Sequence, residues 1–108
     1  KSLTQACKTV ADLKERMKKA VVEDKDRLYN TDLVAALELE FMLDAAETIA
    51  HSALMRRESR GAHSRVDFPK REDTTFLKHS MAYKGPYGPK IEYSPVTLTR
   101  WKPEARVY

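Results

Sequence analysis

A single cysteine, Cys7, leaves no partner for a disulfide within the 108 residues and too few thiols for a cysteine-rich metal site. It fits a reducing compartment, and a cytoplasmic location is the expectation. Glycine is nearly as scarce, three in all and never spaced as Gly-x-Gly-x-x-Gly, so no loop of the kind that cradles a dinucleotide pyrophosphate is present. No apolar run reaches the length of a membrane-spanning helix, which excludes direct membrane insertion through a helix. The opening stretch KSLTQACKTVADLKERMKKA carries acids and no small-residue cleavage site, unlike a secretory signal or a transit peptide. Charge of one sign is lacking too: twenty Lys and Arg are interspersed with sixteen Asp and Glu, for a net +4. Surfaces that bind phosphate chains gather their cations and interleave aromatics, so no nucleic-acid partner is indicated.

What is present is helical first. Leu3, Ala6, Val10, Leu13, Met17 and Ala20 recur at steps of three and four, the mark of a helix with one narrow apolar seam. Cys7 falls on that seam and reads as a small buried hydrophobe rather than a nucleophile. Asn30 or Thr31 offers an N-cap, with Asp32 in the first turn, for a second helix running to about Arg57. At 100° per residue Glu40, Asp44, Glu47 and His51 share one side, read as the wet face. Val34, Leu37, Phe41, Met42, Ala45, Ile49 and Ala53 form a wider apolar arc than one antiparallel helix would cover. Glu38 points into that arc, either at its margin or as a buried contact with another element.

Beyond Gly61, Pro69 stops any helix, and Glu72-Asp73-Thr74 predicts a short third one through Phe76, Leu77 and His79. SMAYKGPYGPKIEYSPVTL reads as a small hairpin around Gly-Pro-Tyr-Gly-Pro, and Trp101 and Tyr108 read as anchors of a tail lying on another surface. The expected fold is mainly α: two long antiparallel helices over 1–57, then a charged corner loop, a short helix and a C-terminal β-hairpin over 58–108.

RRESRGAHSRVDFPKRED, residues 56–73, is the densest run of charge. His63 with Arg60, Arg65 and Asp67 has the residue types of an acid–base centre, but a charged loop pairing internally or docking on a partner needs the same types. His51, His63 and His79 lack the spacing of metal ligands. Neither catalytic, cofactor-binding nor metal residues are assigned. The charges of this run exceed what one turn satisfies locally, which favours docking.

The stretch LELEFMLDAAETIAHSALMRRESRGAHSRVDFPKREDTTFLKHSM, followed by KIEYSPVTLTRWKPEARVY, resembles the C-terminal region of the flavoprotein subunit of succinate dehydrogenase and fumarate reductase. The most specific part is Arg56, Glu58, Ser59, Arg60, Gly61, Ala62, His63, Arg65, Asp67, Phe68, Pro69 and Arg71, extended by Lys78-His79 and by Arg106 to Tyr108. L-aspartate oxidase is similar but usually has Leu at the position of Ala62 and an aromatic at Ser64; Phe41 departs from the Asn that the dehydrogenase family often places there. The resemblance implies a C-terminal helical bundle entered at its second helix, with the FAD-binding domain and all catalytic groups upstream. It also implies an iron–sulfur subunit as partner, and a location peripheral to the inner face of the membrane. Glu38, Glu58, Arg60, His63, Arg65, Asp67 and Arg71 are then interdomain docking candidates, FAD belongs to the parent protein, and the isolated chain is expected to be inactive and to self-associate. The alternatives are the C-terminal domain of an L-aspartate oxidase-like flavoprotein and a helical interaction module without an enzyme attached.

Overall fold

In the computed structural model, which describes residues 2–105, the chain forms three helices and one hairpin: α1 (Ser2–Met17), α2 (Thr31–Met55), α3 (Asp73–Phe76), β1 (Lys78–Tyr83) and β2 (Lys90–Pro95). Asn30 both starts α2 and ties down the loop before it. Its side-chain oxygen accepts from the Leu33 amide at 2.9 Å, while its own amide donates to the Asp24 and Asp26 carbonyls at 3.0 and 2.8 Å. One side chain thereby satisfies an orphan donor of the helix and fixes the angle at which the chain enters it.

The helices meet along the α1 seam, where Leu3, Ala6, Cys7, Val10 and Met17 are half-buried. Lys14 lies against Asp44 and Glu47, and Met17, one turn on, lines a hollow with Glu40 and Leu43. Contacts advance along one helix as they recede along the other, so the pair runs antiparallel. Leu43 and Ala50, at 8% and 9% exposure, are the buried apolar residues among those described. So thin a core leaves most of α2 uncovered.

Part of the side read as wet lies against α1: Glu40 and Asp44 stay exposed, but Glu47 and His51 are half-covered. Lys14 Nζ sits 2.7 Å from Asp44 and 2.6 Å from Glu47, whose side chain is 18% exposed. The apolar arc points the other way: Val34, Leu37, Phe41, Met42 and Ile49 are 53, 49, 68, 65 and 69% exposed. Helical pitch groups residues by side, but it does not say which side has a neighbour. Here the basic flank of α1 draws the acidic side of α2 toward it.

The third helix is shorter than expected. Glu72 caps it by accepting from the Thr74 amide at 3.0 Å, and it ends at Phe76. His79 instead stands in β1, opposite Ser94, in an antiparallel register that pairs Lys78 with Pro95 and Tyr83 with Lys90. A six-residue ladder satisfies more backbone groups than another half-turn of helix would. At the tip, Gly88 has φ +117, and a Cβ on Gly85 would run into the Gly88 carbonyl. The hairpin rests on α2. Phe76 meets Tyr93 edge-on, centroids 6.2 Å apart, with the Lys78 ammonium 5.4 and 4.1 Å from the two rings.

From β2 the tail runs without regular structure, tied by Arg71, which donates to the Glu104 and Pro103 carbonyls at 2.7 and 3.4 Å. Trp101 is 80% exposed, so it is not packed as an anchor against the described residues. Arg106 to Tyr108 lie outside the described residues.

Candidate functional site: a charged corner and an apolar helix face

The corner is built on a two-residue turn. Arg60 and His63 exchange backbone hydrogen bonds of 2.8 and 3.0 Å across Gly61-Ala62. Gly61, at φ +58, holds the first central position, where a type II′ turn requires a left-handed residue. Ser59 fastens the next loop: its amide donates to the Lys70 carbonyl, and its hydroxyl accepts from the Arg65 amide and donates to the Phe68 carbonyl.

Glu58, fully buried, is the centre of one network. Arg60 approaches it bidentately at 2.9 and 3.0 Å, the Glu72 amide donates to it at 2.9 Å, and Arg56 completes the set. Arg56 reaches on to the Phe76 and Lys78 carbonyls, so the same guanidinium ties the corner to α3 and β1. Arg60 also meets Asp73 at 2.5 Å, and Arg71 pairs with Asp73 at 2.8 Å. Burial by itself pushes the Glu58 carboxyl up; the hydrogen bonds from Arg60, Glu72 and Arg56 outweigh it and hold the group below its ordinary value.

Arg65 forms a second centre, 8% exposed at its side chain. It donates to the Ala53, Leu54 and Arg56 carbonyls at 3.2, 2.8 and 3.1 Å, pairs with Asp67 at 2.6 Å, and lies over the Phe68 ring. His63 Nε2 donates to the same Arg56 carbonyl at 3.1 Å. Two cationic or polar groups thus close the end of α2, where its last carbonyls have no partner of their own.

Arg60, His63, Arg65 and Asp67, expected to exceed what one turn satisfies, each find a partner within the chain. Among the described residues no buried side-chain nitrogen or oxygen lacks a hydrogen-bond partner. The turn is satisfied because partners arrive from beyond its own residues: the carbonyls at the C-terminus of α2 and the Asp73 carboxylate accept, and the Glu72 amide donates. Of the seven candidates, Glu58, Arg60 and Arg71 are joined through Asp73, while His63, Arg65 and Asp67 gather at the α2 terminus. Glu38 stands apart, exposed on α2. Arg56 and Asp73 were not among the candidates. Arg56 lies two residues before Glu58, and that spacing was the available signal.

Chemically, these groups are committed. Hydrogen bonding holds Asp67 and Asp73 low, and hydrogen bonds to carboxylates raise Arg60 and Arg65. Asp67 is spent on Arg65, so His63 has no carboxylate to orient it as a base. Burial raises the Cys7 thiol, which disfavours the nucleophilic thiolate. No three His, Cys, Asp or Glu side chains converge among the described residues. A flavin dinucleotide does not fit the described residues either: among them no strand leads into a helix, and the positive-φ glycines sit in hairpin turns.

The model of the family described as fumarate reductase flavoprotein C-term matches residues 1–108. A fumarate reductase flavoprotein subunit of Haemophilus influenzae is 46% identical over 99% of this chain, and 18% of that protein is covered. A succinate dehydrogenase flavoprotein subunit of Rickettsia bellii is 37% identical over 96% of the chain, again covering 18% of its length. In a solved structure of Escherichia coli quinol fumarate reductase, a chain 41% identical superposes with a TM-score of 0.92, covering 98% of this chain and 19% of that one. The chain therefore spans about a fifth of the relatives it matches.

Proposed function

Since the chain belongs to the fumarate reductase flavoprotein C-terminal family, we propose that it is the structural and docking domain of a fumarate reductase or succinate dehydrogenase flavoprotein. In this reading the larger polypeptide transfers a hydride between succinate or fumarate and FAD. It passes electrons to an iron–sulfur subunit and on to quinone, and it lies peripherally on the inner face of the membrane through its partners. The domain belongs to a C-terminal helical bundle, supplies no catalytic group and holds no flavin. The carrying observation is the outward face of α2, where five large apolar side chains stand about half or more exposed beside a corner whose buried polar side chains are already hydrogen-bonded. Glu58, Arg60, His63 and Arg65 give the corner its shape. Asp67 and Arg71, with side chains 58% and 25% exposed, lie on its rim and take part in docking with Glu38 on α2.

The purified 108-residue chain should be colourless, retain no FAD through gel filtration and show no succinate-dependent dye reduction. Stoichiometric flavin would overturn this reading. Alone, the chain should also self-associate, because the α2 face then meets water and a second copy is the available cover. A strictly monomeric species in sedimentation at high concentration would count against the face as a docking surface.

A further inference from the structure

The outward face of α2 holds one charged side chain. At helical pitch Glu38 falls between Ala45 and Ile49 in direction, with Val34 one turn before it and Phe41 and Met42 one turn after. The other acids of α2 are elsewhere: Asp44 and Glu47 hold Lys14, and Glu40 borders the hollow beside Met17. Among the described residues no cation lies within ion-pairing distance of Glu38, which is exposed. An element laid over this face would strip water from the Glu38 carboxylate together with the surrounding apolar groups. A carboxylate so desolvated is tolerated when a cation and hydrogen-bond donors replace the water.

We propose that the upstream part of the same polypeptide covers the α2 face and brings an arginine or lysine to Glu38, so that this pair sets the register of docking. The proposal rests on the reading of the chain as one domain of a longer flavoprotein. Two observations select that occupant. The chain makes up 18% of the Haemophilus protein's length, which leaves about four-fifths of such a polypeptide to provide the cover. The fold, with its bare face, also superposes at a TM-score of 0.92 within a longer Escherichia coli chain. The lone acid centred on an apolar face then fixes the chemistry of the cover: apolar around one cation.

Full-length flavoprotein carrying Glu38→Leu separates the possibilities by sign. If a cation meets Glu38, leucine strands it, and the variant should melt several degrees lower and lose flavin on gel filtration. Glu38→Gln should show a smaller loss in the same direction. If the cover is wholly apolar, leucine extends the contact and the melting temperature rises, which overturns the proposal. Phe41→Asp is the companion, since it damages any apolar docking whatever Glu38 does. Loss with Phe41→Asp but not with Glu38→Leu leaves the docking reading standing and removes the cation. No effect from either removes both. Lys25 and Arg27 line the same hollow as Glu38, so Lys25→Gln and Arg27→Gln are measured as well. If either reproduces the Glu38→Leu loss, and the double variant adds nothing, the pair is local and the proposal falls.

Discussion

Glu58→Ala should cost the chain about 3–5 kcal/mol, because it removes the fully buried carboxylate between the two part-buried guanidiniums of Arg56 and Arg60. The side chain is fully buried, while the described apolar core consists of Leu43 and Ala50. In a domain with so little hydrophobic burial, a loss of that size is a large part of the whole stability. Urea or thermal melts followed by circular dichroism would read it, and a loss below about 1 kcal/mol, the magnitude of an exposed pair, would mean that the network is open to water. Replacing Arg56, Glu58 and Arg60 together by apolar residues should be milder than removing Glu58 alone, since nothing charged is then stranded.

The same network predicts an acid limit. Glu58 is held below its ordinary value in the folded chain, so the unfolded state binds its proton first as pH falls. The stabilisation is fully present above about pH 5 and is lost as pH drops through the lowered folded value. Glu58→Gln should flatten that part of the pH profile.

Local signals carried much of the fold. The Asn30 cap, the seam of α1 from Leu3 to Met17 and the glycines of the hairpin tip each depend on a few adjacent residues, and each stands where its pattern put it. One reading held only in part and another failed where the decision was long-range. Which side of α2 meets α1 depends on Lys14, thirty-three residues from Glu47, and pitch alone carries no such information. His79 was given to a helix because strand β2, which claims it, comes later in the chain. The candidate residues of the corner were visible as types at a spacing. Their partners were not, because many of them are main-chain groups: the accepting carbonyls of Ala53, Leu54 and Arg56 and the donating amide of Glu72. A sequence displays side chains, and a network completed by backbone looks unsatisfied until the backbone is placed.

The corner is therefore continuous with the helix that precedes it. Arg56 extends the hydrogen-bonded backbone of α2 through its amide to the Ser52 carbonyl, and its side chain enters the Glu58 network. Any force on the corner is transmitted to the last turn of α2, and the outward apolar face is carried on that same helix.

Arg65 makes that coupling measurable. Its guanidinium serves three terminal carbonyls of α2 and holds Asp67 bidentately, a geometry that a planar fork permits and a lysine ammonium does not. Arg65→Ala should cost about 2–3 kcal/mol, the worth of hydrogen bonds to a charged group with a contribution from the negative end of the helix dipole. Arg65→Lys should recover the dipole contribution and little of the rest. Hydrogen exchange locates the effect: amides in the last turn of α2, around Met55 and Arg56, should lose protection, while the first turn, capped by Asn30, keeps it. Asp67→Asn should be far milder, since that carboxylate is mostly exposed. Unchanged protection at the end of α2 in Arg65→Ala would show that the cap contributes nothing there. If that variant is silent in the isolated chain but lowers flavin retention in the full-length flavoprotein, the charge of Arg65 acts across a domain boundary, and the closed corner described here is rebuilt on docking.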